Sequence, residues 1–388
     1  MRLLIHAING VGLGHLIRTL EIAKNIRNLD PSIDISFVTN SEFADLIDKQ
    51  GFSFTKLDIN TKNVLNEDIS YEKYLEYNFM SIKNIILKDK PDMLLFDSEI
   101  NHKLIDFCID KGVKTGFILR NKKDSYFNDL IQGKIIKKFD IILVPHLKEE
   151  VDIDQLKVLE KLDNIFFIGP IIKSSGKKIK QKNGADLNML ICFAGGSDVK
   201  DNEPLFEKVS FFLKGLKKNK LKIDNKKINI KIITGPFFNK KKYSLEGFES
   251  ETFSHDLFND IKNSDICIVP GGYNLVNEIV FAKVPSIIIP LDRKEDDQFL
   301  RVSRLEEKGC VVSGENDVFK TLESIINKDK LNEMKNSFPE LKQGNVEGAK
   351  KIISFLKEKN NIGIIKGEWL NISEKFIFDK VKNIKKFI

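Results

Sequence analysis

The chain has 388 residues, 41% of them hydrophobic and 31% charged, a globular composition that excludes a disordered chain and has length for two domains of roughly 150–200 residues. Its 63 basic and 56 acidic residues leave a formal net charge of +7, with the surplus in two lysine clusters, KSSGKKIKQK (173–182) and KGLKKNKLKIDNKK (214–227). Such clusters read as solvated surface, or as attraction to an anionic membrane or a polyanionic substrate; no nucleic-acid reader module accompanies them, so nucleic acid is not expected as a partner.

The chain opens directly on the apolar strand RLLIHAI (2–8), without a signal-peptide pattern, and no run of about 18 apolar residues follows that could span a membrane. Further strands are expected at 34–39, 52–57, 92–97, 114–119 and 140–145, separated by helical patterns at 15–28, 41–50, 71–89 and 101–111. The strands are continuous apolar runs, as in a parallel sheet covered by helices on both faces. After FFIGPII (166–172) a Gly/Ser/Lys-rich stretch reads as a linker, 171–186, and the plan then restarts. Strands are expected at 188–196, 228–235, 265–272 and 285–291, with helices at 203–218, 256–263, 274–283 and 296–308, and an amphipathic lysine-rich helix at 369–388. This is an α/β chain of two Rossmann-like domains, 1–170 and 187–360, with a helical tail, 361–388. Ligands of open parallel sheets bind outside the carboxyl ends of the strands, so the site belongs in a cleft between the two domains. The four cysteines, Cys108, Cys192, Cys267 and Cys310, form no CxxC pair; buried thiols, no zinc site and a reducing, cytoplasmic setting are expected.

The first strand runs into Gly10, Gly12 and Gly14, then His15 and a helix carrying Arg18. Glycines permit a sharp turn and close approach of a ligand, and a helix start offers free N–H groups. The spacing is not GxGxxG, and DISFVTN (34–40) ends without the acidic residue of a dinucleotide site. His15 at the positive end of a helix is held toward the neutral form that a general base needs. In the second half FAGGS (193–197) presents Gly195, Gly196 and Ser197 after a strand, where a diphosphate fits. Gly271 and Gly272 again follow a strand; Asn274 can cap the next helix, and Glu278, one turn on, can take the hydroxyls of a ribose. Asp297 and Gln298 open a further helix as short polar groups able to grip sugar hydroxyls, or as a simple helix start.

GVGLGHLIRTLEIA (10–23), FIGPI (167–171), LNMLICFAGGS (187–197), PGGYNLVNEIVFAKVPSIIIPL (270–291) and EDDQ (295–298) with Arg301 together resemble, in order and spacing, the GT-B glycosyltransferases related to family 28. The resemblance implies two facing Rossmann-like domains with a last helix crossing back to the first, and transfer of a sugar from a nucleotide diphosphate sugar, UDP-linked in the first instance, to a hydroxyl. It implies an inverting step without metal or cofactor, in cell-envelope or glycoconjugate biosynthesis. His15 becomes the candidate base, and Gly12 and Gly14 the turn facing acceptor and donor phosphate. Gly195, Gly196, Ser197, Gly271 and Gly272 line the diphosphate, Glu278 binds ribose, and Gln298 with Asp297 the donor sugar. Phe253 and Leu257, in FSHDLFNDIKNSD (253–265), flank the base. The chain departs from the group at Asp297–Gln298, where the lipid I transferases carry two glutamines, and at PDMLLFDSE (91–99), which replaces a glycine-rich acceptor loop and brings in Asp97 and Glu99. A different acceptor follows, lipid-linked or a glycan, and Asp97 is a second candidate for base or for orienting His15. The Gly14–His15–Arg18 spacing and the loop GGSDVKDN (195–202) also resemble a GT-B-like UDP-sugar hydrolase of pseudaminic acid synthesis. Transfer to a hydroxyl, hydrolysis or epimerisation of a nucleotide sugar, and a non-catalytic sugar-nucleotide-binding module are thus the three readings. Location at the inner face of a membrane, through the lysine clusters, is a further expectation.

Overall fold

The computed structural model describes residues 1–8, 13–59, 68–97, 99–121, 123–173, 186–193, 199–218, 222–223, 226–235, 238, 243–254, 256–293, 296–315 and 317–358. The first half alternates β1 (Arg2–His6), α1 (Gly14–Leu29), β2 (Asp34–Thr39), α2 (Asp45–Asp48), β3 (Ser53–Lys56), α3 (Tyr71–Asp89), β4 (Met93–Asp97), α4 (His102–Asp110), β5 (Lys114–Ile118), α5 (Asp124–Gln132), β6 (Ile141–Val144), α6 (Ile153–Leu159) and β7 (Ile165–Phe167). The second has β8 (Leu187–Cys192), α7 (Val199–Lys218), β9 (Lys222–Ile223), β10 (Lys226–Ile233), β11 (Ser250–Glu251), α8 (Leu257–Lys262), β12 (Ile266–Pro270), α9 (Tyr273–Ala282), β13 (Ser286–Ile289), α10 (Gln298–Glu307), β14 (Val311–Ser313), α11 (Val318–Ile325), α12 (Lys328–Asn336) and α13 (Gly344–Lys357).

The first sheet runs β3-β2-β1-β4-β5-β6-β7 with every pair parallel. The second runs β11-β10-β8-β12-β13-β14, also parallel, with β9 antiparallel on β10. Apolar runs fill both faces of the central strands. In β1, Leu4 enters one core cluster while Leu3 and Ile5 enter the other; in β8, Met189 and Ile191 face one way and Leu190 and Cys192 the other. This is why these central strands carry no polar alternation, unlike β10, where Asn229 and Lys231 separate the apolar positions. The order reverses between β1 and β4 in the first sheet and between β8 and β12 in the second, and such switch points open a crevice at the carboxyl ends of the strands.

Three expectations are revised. The helix at 41–50 contracts to Asp45–Asp48, the strand at 188–196 ends at Cys192, and the β9–β10 hairpin interrupts the parallel pattern. The helix that crosses back to the first domain is Gly344–Lys357: Ala349, Ile352 and Leu356 share a core with Leu3, Ile5, Ile22 and Ile26, and the expected tail helix at 369–388 lies outside the described residues. The outgoing and returning crossings touch. Gly344 N–H donates to Pro170 O at 2.7 Å, and the Asn345 amide holds both the N–H and the carbonyl of Ile172, at 2.9 and 2.7 Å. The four cysteines are buried and no disulfide joins them. No helix among the described residues is long and apolar enough to cross a membrane.

Candidate functional site

Asp97 ends β4 and Gly14 begins α1, both at the carboxyl edge of the first sheet. Asp97 is fully buried; its Oδ1 accepts from Arg18 Nη2 at 2.7 Å and lies 3.4 Å from His15 Nδ1. Arg18, 2% exposed, sits 3.2 Å from the same His15 nitrogen and donates through Nη1 to Asn274 Oδ1 at 3.3 Å. Asn274 returns its Nδ2 to the Gly14 carbonyl at 3.0 Å. Four of the expected residues, Gly14, His15, Arg18 and Asn274, thus meet Asp97 in one interdomain network, although Asn274 lies some 260 positions from Gly14 in the chain. Asn274 is not the helix cap it was expected to be: Gly272 occupies the N-cap of α9, with no side-chain capping bond.

The charges follow from burial. Burial by itself would raise the Asp97 carboxyl, but the Arg18 charge, with His15 beside it, holds it well below the usual carboxylate range. His15 is lowered to about 4, chiefly by burial, with Arg18 and Arg120 adding to it against the pull of Asp97. At neutral pH the imidazole is therefore neutral and the carboxylate ionised, and a quarter of the His15 side chain stays open to the cleft. His6, in register with Phe96 next to Asp97, is fully buried, has no hydrogen bond at either ring nitrogen and is lowered to about 3, mainly by burial.

On the second domain, a Cβ on Gly272 would meet none of the described residues within 4 Å, and no side chain among them caps the N–H groups of α9. Gly271 is packed instead: its carbonyl accepts from Arg301 Nη1 at 2.8 Å and a Cβ there would stand 3.1 Å from Gln298. Glu278 is buried and raised to about 8, by burial first, with the negative charges of Glu21 and Asp256 adding to it against Lys173. The two residues expected at the donor sugar also make bonds within the fold. Asp297 caps α10, accepting from Leu300 N–H at 2.9 Å, and the buried Gln298 accepts from Leu291 N–H at 3.1 Å. Phe253 stacks nearly parallel (12°) on Phe43 of the first domain at 6.4 Å, whereas Leu257 packs at the margin of the second core. Gly12, Gly195, Gly196 and Ser197 lie outside the described residues.

A further residue, not among those expected, helps tie the two domains together. Tyr273, first residue of α9, donates its hydroxyl to Pro145 O and meets the edge of His146 at 4.9 Å. The guanidiniums of Arg18, Arg120 and Arg301 stand 5.7, 5.8 and 5.8 Å from its ring centroid. The signal for Arg120 was an arginine directly after the apolar strand ending FIL (117–119), at the edge where a parallel sheet binds its ligands.

Residues 190–356 match the family model described as glycosyltransferase family 28 C-terminal domain. A protein named uncharacterized glycosyltransferase from Methanosarcina acetivorans is 25% identical over 331 residues, 78% of this chain and 83% of its own length. The fold is shared with Acinetobacter baumannii MurG (TM-score 0.61, 14% identity, 92% of this chain and 100% of that one). It is shared too with a putative UDP-N-acetylglucosamine 2-epimerase from Listeria monocytogenes (TM-score 0.63, 13% identity, 94% and 99%). Two Rossmann-like domains with their switch points facing one cleft, and these structural likenesses, define the GT-B fold. The matched domain and the glycosyltransferase-named relatives mark the chain as a glycosyltransferase whose residues 190–356 are similar to the family 28 C-terminal domain.

Proposed function

We propose that the chain transfers a sugar from a UDP-sugar to a hydroxyl acceptor, with inversion and without a metal ion. The observation that carries the reading is the couple of buried Asp97 and part-exposed His15, 3.4 Å apart, beside the N-terminus of α9, which no side chain among the described residues caps. Held with Nδ1–H toward Asp97, His15 keeps its Nε2 lone pair for the acceptor hydroxyl; Asp97, fully buried and engaged by Arg18, orients it. His15 takes the hydroxyl proton as the acceptor oxygen forms its bond to the anomeric carbon. The bond from that carbon to the diphosphate breaks, and its electron pair leaves with the nucleoside diphosphate. The N–H groups of α9 and the space at Gly272 receive the departing charge, Glu278 takes the ribose hydroxyls, and Phe253 lies against the base. Gly12, Gly195, Gly196 and Ser197 complete the phosphate side in this reading, and the lysine clusters serve a lipid-linked or glycan acceptor at an anionic surface.

The test is a panel of UDP-, dTDP- and GDP-sugars without acceptor, with binding followed by thermal shift and nucleoside diphosphate release by mass spectrometry. Tight binding of one donor with slow release supports the transferase. Fast release makes water the acceptor and the protein a hydrolase, and conversion to an epimeric sugar nucleotide makes it an epimerase.

A further inference from the structure

Of the three guanidiniums around Tyr273, two have their own counter-charge: Arg18 pairs with Asp97 at 2.7 Å and Arg301 with Asp296 at 2.6 Å. Arg120 forms no ion pair among the described residues, and its Nε is buried without a hydrogen-bond partner. Glu150, the other carboxylate of the neighbourhood, accepts from Leu147 N–H at 3.0 Å and stands 3.7 Å from His146. Arg120 follows β5, which lies next to β4 and Asp97, so it belongs to the first domain; Tyr273 begins α9 in the second. Burial, then the like charge of Arg18, bears against the Arg120 cation, with Asp296 and Asp97 opposing. A guanidinium kept there has no ion-pair partner among the described residues, and at Gly272, next to its ring partner in the chain, none of the described residues comes within 4 Å of a Cβ.

We propose that Arg120 reaches from the first domain to bind the diphosphate of the donor, so that the charge of the leaving group is met from both domains at once. The inference rests on the donor reading above. Guanidinium matches phosphate bidentately, and in a partly desolvated cleft its charge acts with little screening. Because Arg120 and α9 sit on different domains, full neutralisation occurs only when the two domains are together, which ties donor cleavage to closure.

The experiment compares UDP, uridine and inorganic pyrophosphate by calorimetric titration on the wild type, Arg120→Gln and Arg120→Lys. A charge-assisted hydrogen bond corresponds to roughly 10- to 100-fold in affinity. Arg120→Gln should lose about that much for UDP and pyrophosphate and leave uridine unchanged. Arg120→Lys, which keeps the charge and guards against a variant that fails to fold, should lose less. Equal loss for uridine would make Arg120 structural, and unchanged UDP and pyrophosphate affinity would overturn the assignment outright. If pyrophosphate needs Arg120 but the wild type prefers no uridine ligand, the anion site stands and the uridine reading falls.

Discussion

Asp97→Asn isolates the charge that organises the first-domain half of the site. The carboxylate is fully buried, 2.7 Å from a guanidinium that is itself 2% exposed. Asparagine keeps the shape and leaves Arg18 charged without its carboxylate. Removing one half of a buried pair costs about 3–5 kcal/mol. For a domain of this size each kcal/mol moves Tm by about 2–4 °C, so melting should fall by roughly 6–20 °C. The Asn274 oxygen, 3.3 Å from Arg18 Nη1, is neutral and replaces little of the lost interaction. Combining Arg18→Met with Asp97→Leu removes both charges and should recover most of the loss, because apolar replacement of a buried pair is close to neutral. Scanning calorimetry of the wild type, Arg18→Met, Asp97→Leu and the double variant, with Asp97→Asn alongside, gives the coupling directly. A coupling above about 1 kcal/mol is expected for residues in contact. Singles that simply add to within about 0.5 kcal/mol would refute the pairing as the organising interaction.

Other outcomes follow from the same geometry. His15→Ala should lower turnover by about 10²–10⁴-fold, the usual range for loss of a general base, with UDP affinity changed less than about twofold in a titration; unchanged turnover removes His15 from the mechanism. Glu278, at about 8 in the folded protein, is mostly protonated at pH 7, and ribose hydroxyls favour its ionised form. UDP binding at pH 7 should therefore release protons, measured by calorimetry in buffers of different ionisation enthalpy, and proton uptake would contradict the ribose role. With its folded pKa raised, any advantage of the native Glu278 over Glu278→Gln is present at low pH and is lost as pH rises through about 8. Gly272→Ala should fold normally, since its backbone angles suit alanine and nothing lies within 4 Å, yet should weaken UDP binding. Gly344→Ala should destabilise by about 1–3 kcal/mol or more, because its Cβ would fall 2.1 Å from the Gly169 carbonyl oxygen; equal melting temperatures for Gly344→Ala and wild type would contradict that close crossing.

The sequence by itself determined the two parallel α/β halves, because a strand buried on both faces must be apolar throughout and the helices between such strands carry a periodic apolar face. It also determined that glycines follow β12, and it picked out His15, Arg18 and Asp97 as residues at sheet edges. It left open whether Asn274, Asp297 and Gln298 hold a ligand or the fold, since a short polar side chain at a helix start reads the same either way. The tertiary structure shows their contacts within the chain: Asp297 caps α10, Gln298 holds Leu291, and Asn274 reaches across the cleft to Arg18 and Gly14. It alone brought Arg120, Arg301 and Arg18 around Tyr273, and it assigned the returning helix to 344–357. The contacts of Arg120 and Arg18 with Tyr273, and of Asn274 with Gly14, join residues roughly 150 to 260 positions apart. Periodicity and local spacing describe neighbours within a few residues; which distant side chains share a buried, low-dielectric space, and which charge there lacks a partner, is fixed only by how the two sheets face each other.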